Sequence, residues 1–221
     1  MQLALATTNP HKLGELRAIL GPLGHELLSL DDLGVTVPEP AETAATLEGN
    51  ARIKAVTYAR ALGRLCLADD SGLEVDALGG APGVHSARYA GTGATREERD
   101  RHNREKLLAE LARRGPVSRA TRLVCVLCVA EPTGRVVFET RGTLEAVVAH
   151  APRGEHGFGY DSLLYLPDVD KTLAELTPDE LNARSHRGTA ARSLHAWLET
   201  VPAESSYSRT APVPNGREPR P

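Results

Sequence analysis

The sequence predicts an α/β fold. Strand-like apolar runs alternate with helix-period segments, Gly- and Pro-containing turns separate them, and this order fills residues 1–201 before the composition changes. Composition agrees with that class: the 221 residues are 41% hydrophobic and 25% charged, which excludes collagen-like, disordered and coiled-coil chains. Aromatic residues make up only 4%, so the core must be built from Leu, Val and Ala. A net charge of −3 supplies no global basic field, and no nucleic-acid partner is expected. No run approaches the ~18 apolar residues of a membrane span. The apolar N-terminus lacks the basic stretch of a signal peptide, so a cytoplasmic protein with no membrane partner is expected.

The elements follow in order. A strand is expected over 3–7, ended by the turn Thr8-Asn9-Pro10. A helix follows with Leu13, Leu16, Ile19 and Leu20 on one face, broken by Gly21-Pro22. A second strand is expected over 26–30, a polar loop holding Glu39 and Glu42 over 38–46, and a helix over 46–62 ended by Gly63. The apolar run 65–68 reads as a buried strand that ends in Asp69-Asp70-Ser71-Gly72, followed by a Gly-rich loop over 78–83. Residues 95–114 read as a mostly solvated helix whose basic side chains are balanced by acids. Runs 122–129 and 135–148 read as strands of a hairpin around Pro132-Thr133-Gly134. A second glycine loop spans 154–161, a strand 163–166, and helices are expected over 172–176 and 182–200. The segment 202–221 holds five of the 15 prolines and no apolar period, and is expected to be a disordered tail. Cys125 and Cys128, three apart in a strand, point to opposite faces, which is poor zinc geometry; with Cys66 they read as reduced structural thiols.

Four constellations bear chemistry. The segment Thr7, Thr8, Asn9, Pro10, His11, Lys12 joins a strand end to a helix start, where free backbone N–H groups, a hydroxyl and an ammonium suit a phosphate. Simple helix capping by Thr8 or Asn9 explains the same residues without a ligand. Glu42 and the pair Asp69-Asp70 offer carboxylates, the pair at a strand's C-terminal end, where α/β ligand sites form. Adjacent strand residues diverge, so one carboxylate can hold a hard cation such as Mg²⁺ while the other orients it or takes a proton. Gly157-Phe158-Gly159-Tyr160-Asp161 places one of only two Phe between glycines, where it can stack on a base while the acid reads the base edge. Ser185-His186-Arg187 brings imidazole and guanidinium donors to a helix start. The chain has 22 Arg and only four Lys (Lys12, Lys54, Lys106 and Lys171), so the positions that keep a lysine carry weight.

Read in order, these segments resemble the inosine triphosphate pyrophosphatase family. The resemblance rests on Thr7 to Lys12 with the preceding Ala6, on Glu48-Gly49-Asn50-Ala51 with Lys54-Ala55, and on the run ADDSGLEVDALGGAPGVHSARYAG from Ala68 to Gly91. Gly157 to Asp161 and Ser185-His186-Arg187-Gly188 complete it. It implies a long curved mixed sheet with flanking helices, in two lobes around a central substrate cleft, and a homodimer. The implied reaction is Mg²⁺-dependent hydrolysis of a non-standard purine nucleoside triphosphate (ITP, dITP or XTP) to the monophosphate and pyrophosphate. By position, Thr7 to Lys12 and Lys54 would hold the triphosphate. Glu42 and Asp70 would bind Mg²⁺, Asp70 would take the proton of the attacking water, and Asp69 would support them. Ser71 would contact substrate, Phe158, Gly159, Tyr160 and Asp161 would enclose the base, and His186 and Arg187 would recognise it. A donor such as Arg187 meets the 6-oxo group of hypoxanthine and is mismatched against the 6-amino group of adenine. The family commonly has Lys five residues before the His of Ser-His-Arg; this chain has Leu181, with Arg184 one turn on. A pyrophosphatase for pyrimidine or modified nucleotides, and a nucleotide-binding regulator without turnover, are the competing readings.

Overall fold

Eight strands form one mixed sheet: β1 (Gln2–Ala6), β2 (Glu26–Leu28), β3 (Cys66–Val75), β4 (Pro82–Gly83), β5 (Ala120–Ala130), β6 (Val136–Val148), β7 (Leu164–Leu166) and β8 (Lys171–Thr172). Their order in this computed structural model, which describes residues 1–201, is β2-β1-β3-β5-β6-β7-β8, with β4 paired to β3. The 202–221 segment, expected to be a disordered tail, lies outside the described residues. β1 runs parallel to β2 and β3, while every pairing from β3 through β5, β6 and β7 to β8 is antiparallel. The α/β class and the mixed sheet are as expected.

Pleat alternation divides β1, β3 and β5 between two apolar clusters. Leu3, Leu5, Leu67, Cys125 and Leu127 face one side, covered by α1 (Pro10–Leu20) and α5 (His186–Leu198). Ala4, Ala6, Cys66, Ala68, Val126 and Cys128 face the other, covered by α2 (Leu47–Leu62). Small Ala residues on that second face let α2 approach closely through its own Ala51, Ala55 and Ala59. A third cluster gathers Leu73 and Val75 of β3, Leu107 and Leu111 of α3 (Arg96–Arg113), and Leu163, Leu164 and Leu166. β3 therefore passes from one core to another, and Asp69-Asp70-Ser71-Gly72 lies between them. The cysteines are free, buried and split between faces, as expected.

Three expectations are corrected. Asp69 and Asp70 do not end a strand: β3 continues to Val75 because β5 pairs with it throughout, from Cys66↔Ala130 to Val75↔Thr121. The C-terminal strand end beside the acids belongs to β1, whose last pairing is Ala6↔Ala68. Residues 182–200 are not one helix, since Ser185 is at once the C-cap of α4 (Pro178–Arg184) and the N-cap of α5, its hydroxyl accepting from the Gly188 N–H. Likewise 172–176 shortens to a 3₁₀ turn, Leu173–Glu175. As expected, α3 is mostly solvated, with a narrow buried stripe. Asn103, Leu107 and Leu111 are buried, and its first turn lines the cleft described next.

Candidate active site

The pleat of β3 sends Asp69 and Asp70 to opposite faces, and each meets a different set of cations. Asp69 is 1% exposed. Its Oδ1 forms an ion pair with Lys12 and accepts from the Ser71 hydroxyl at 2.7 Å. Its Oδ2 accepts from Arg187 Nε at 2.9 Å and from the Cys125 thiol at 3.1 Å. Burial alone would push this carboxyl up; Lys12 and Arg187 outweigh it and hold the group well below the usual carboxylate range, ionised. Lys12 projects from the first turn of α1, which Asn9 caps by accepting from the His11 N–H.

Asp70 faces Lys54 of α2, whose Nζ donates to Asp70 Oδ1 at 2.5 Å and to Glu42 Oε1 at 3.1 Å. Glu42 is held from its other oxygen by Arg88 at 2.8 Å. Burial raises the Asp70 carboxyl above its ordinary range despite Lys54, and the Glu42 charge adds to the rise. Burial opposes the charge on Lys54, but its two carboxylates win and keep it an ammonium. Two hard oxygen donors thus converge on one point, shared here by a cation. That donor set fits Mg²⁺, which takes one or two carboxylates together with waters and phosphate oxygens.

These groups line a cavity of about 340 Å³ with Thr7, Thr8, Asn9, Ser71, Arg88, Arg96 and Arg99. A smaller cavity of about 130 Å³ holds Phe158, Gly159, Tyr160, Asp161, His186 and Arg187. The two share Asn9, Lys12, Ser71, Ala87, Arg96 and Asp100, and so form one cleft. Pro10 and His11 line neither cavity: Pro10 borders a separate hollow with Leu13 and Asp31, and His11 stacks on Phe158 at 4.9 Å between ring centroids.

The glycine loop is tied from within. Asp161 accepts from the Phe158 N–H at 2.9 Å, and Gly157, at φ +77°, leaves no room for a Cβ, which would lie 2.3 Å from the Asp161 carboxylate. Burial pushes Asp161 up to about 7, the Phe158 N–H opposing it. From α3, Asp100 accepts from the Gly159 N–H and Arg104 donates to the Gly159 carbonyl. Tyr160 is buried with its hydroxyl on the Ser86 carbonyl, so it anchors the loop to the neighbouring core.

At the start of α5, burial and the adjacent Arg187 push His186 well below its ordinary pKa, leaving a neutral ring whose buried Nδ1 has no hydrogen-bond partner. Arg187 is 1% exposed and divided among Asp69, Glu15 (2.5 Å) and Ser71 (3.2 Å). Leu181 lies beside His11 and Phe158 in a hollow of about 350 Å³, outside both parts of the cleft. Arg184 does not stand in for the expected lysine, since it pairs with Asp168 at 2.5 Å and lines neither cavity.

Sequence reasoning missed Arg88, Arg96, Arg99 and Cys125. Arg88 lies inside the 68–91 motif, where a cation among apolar residues was a usable signal; the α3 arginines were hidden in a balanced charge run. Among the described residues, His25, His195 and Glu199 also converge, away from the cleft. The two imidazoles hydrogen-bond each other at 2.8 Å, and His25 Nδ1 is buried without a partner. A cation on both rings would force the His25 proton onto that nitrogen, so the pair reads as a tie between α5 and the start of β2.

The sequence profile of the Ham1 family matches residues 3–197. A protein named dITP/XTP pyrophosphatase from an Exiguobacterium species is 48% identical over 198 residues, covering 90% of this chain and 97% of its own. One of the same name from Bacillus subtilis is 45% identical, covering 88% and 96%. The structure of a HAM1 protein from Coxiella burnetii superposes with a TM-score of 0.81 at 38% identity, over 91% of this chain and all of that one.

Proposed function

The chain belongs to the Ham1 family, and from that premise we propose that it is a nucleoside triphosphate pyrophosphatase for non-standard purine nucleotides. Its substrates would be dITP, XTP and ITP, hydrolysed with Mg²⁺ to the monophosphate and pyrophosphate. The observation that carries this reading is the Glu42–Lys54–Asp70 cluster in a cavity shared with the Thr8–Lys12 turn and continuous with the Phe158 slot.

A nucleotide spanning both cavities sets its triphosphate among Thr8, Lys12, Lys54 and Arg88 and its base beside Phe158 and Asp161. Glu42 and Asp70 would hold Mg²⁺, which supplies charge neutralisation for the leaving pyrophosphate. Asp70, a carboxylate open to the larger cavity, takes the proton of the attacking water. Lys54 and Arg88 are fixed in place by their carboxylate partners and so meet developing negative charge without reorganising. Of the Arg187 nitrogens, Nη2 is the least committed, held only by Ser71 at 3.2 Å, and is assigned to the purine 6-oxo group. Adenine would set an amino group against that donor, and an unpaired buried polar group of this kind discriminates strongly.

The test is turnover of ITP, XTP, dITP, ATP, GTP, dTTP and UTP with Mg²⁺ and identification of both products. Pyrophosphate from the first three supports the reading. Orthophosphate release, or equal turnover of ATP, overturns it. The expected homodimer is part of the same proposal and is read by light scattering.

A further inference from the structure

Most cations of the cleft are paired with carboxylates. The exceptions are two of α3: Arg99, which reaches only the Ala94 carbonyl at 3.4 Å and lines the larger cavity alone, and Arg96, which lines both cavities. Lys12, Lys54, Arg88 and Arg187 each contact a carboxylate within hydrogen-bond range. Arg96 has only Asp100, at 3.9 Å, and that acid already accepts from the Gly159 N–H. The Arg96 Nε is buried with no hydrogen-bond partner, and its guanidinium carbon rests 5.1 Å from the centre of the Phe158 ring. Helix stability does not explain the residue. Arg96 is the first residue of α3, where the helix dipole favours acids and disfavours a cation.

Its position indicates a ligand. Arg96 belongs to the wall shared by the two cavities. A nucleotide with its base at Phe158 and its distal phosphates at Lys54 must pass its ribose and α-phosphate across that wall. Lys12 also lies there but is engaged by Asp69. A planar guanidinium offers paired donors matched to two oxygens of one phosphate.

Resting on the function proposed above, we propose that Arg96 is a substrate-binding residue for the α-phosphate. Its guanidinium leaves the Phe158 ring as the purine arrives there and donates to the non-bridging α-phosphate oxygens. The α-phosphate stays with the monophosphate product, so Arg96 follows that product and not pyrophosphate.

The experiment measures kcat/KM for dITP, and inhibition by deoxyinosine monophosphate and by pyrophosphate separately, for wild type, Arg96→Ala, Arg96→Lys and Arg101→Ala. Arg101 is exposed on the same helix and pairs with Glu105, so its variant should match wild type. Arg96→Ala should lower kcat/KM roughly 10- to 100-fold, the range for a lost charge-assisted hydrogen bond. It should weaken inhibition by the monophosphate by a similar factor and leave inhibition by pyrophosphate within about twofold. Arg96→Lys should recover part of the loss, and unchanged thermal midpoints exclude misfolding. Wild-type kinetics in Arg96→Ala, equal weakening of both products, or an equal loss in Arg101→Ala overturns the assignment. A wild-type protein that releases no pyrophosphate overturns the functional reading instead. Calorimetric binding of the monophosphate to wild type and Arg96→Ala then decides Arg96 by itself.

Discussion

Asp69 and Asp70 are neighbours in the chain, yet their substitutions should fail differently. Asp69 anchors a buried cation from α5, Arg187, and a part-buried one from α1, Lys12, so Asp69→Ala leaves both without their shared acid. Removing one partner of a buried pair costs about 3–5 kcal/mol, and urea unfolding should show a loss of that size. Asp70 faces the cavity, and Asp70→Asn keeps its shape while losing its basicity. Turnover should fall by roughly 10²- to 10⁴-fold, the typical contribution of a general base, with the circular dichroism spectrum unchanged; normal kinetics would refute the role. Asp161 links the site to pH. Its folded pKa of about 7 lies above the ordinary carboxylate value, so the folded state binds the extra proton. Its contribution to stability is full below about pH 4 and is lost as pH rises toward and through about 7. Asp161→Asn should therefore be more stable relative to wild type at pH 8 than at pH 5, as read by urea unfolding at both values.

Among the elements, α5 carries the heaviest positional demand. It starts at Ser185, delivers His186 and Arg187 into the cleft, and then crosses β6 at Gly142. A Cβ on Gly142 would lie 2.1 Å from the His186 carbonyl oxygen and 2.7 Å from the Ala190 nitrogen. Only the bare backbone allows helix and strand to touch there. Gly142→Ala should push the first turn of α5 off the sheet, at a cost of about 1–3 kcal/mol for overpacking. Because that turn holds Arg187 on Asp69, KM should rise along with the fall in the unfolding midpoint. A lower midpoint with unchanged KM would separate α5 packing from substrate binding and sink the argument. The motif at Ser185 was legible as lying near a helix start, but not Ser185 as the boundary between two helices, because its capping bond to the Gly188 N–H forms only when the chain bends there.

At the scale of the molecule, the cleft lies where three apolar clusters meet, and β3 contributes fully buried side chains to all of them. Among the described residues, 1–201, that arrangement is complete in its strands and helices, and the family match ends at 197. A chain ending at residue 201 is therefore expected to keep wild-type kcat/KM for dITP; a loss greater than about tenfold, or 1.4 kcal/mol, would assign the last segment a part in the site.

What the sequence by itself determined is the alternation of strands and helices, the two faces of the buried thiols and the order of the motifs. Each is a local pattern, set by which side of one element must leave water. The tertiary structure decided the partners. Lys12 meets Asp69 across 57 residues and Arg187 meets it across 118, distances over which periodicity carries no information. It also turned the α3 arginines toward the cleft, fastened Tyr160 in the wall of the smaller cavity to the Ser86 carbonyl and extended β3 through its acids, which stay in the strand because β5 pairs beside them. Charged side chains go where opposite charge compensates their burial, and that compensation exists only once distant elements have packed.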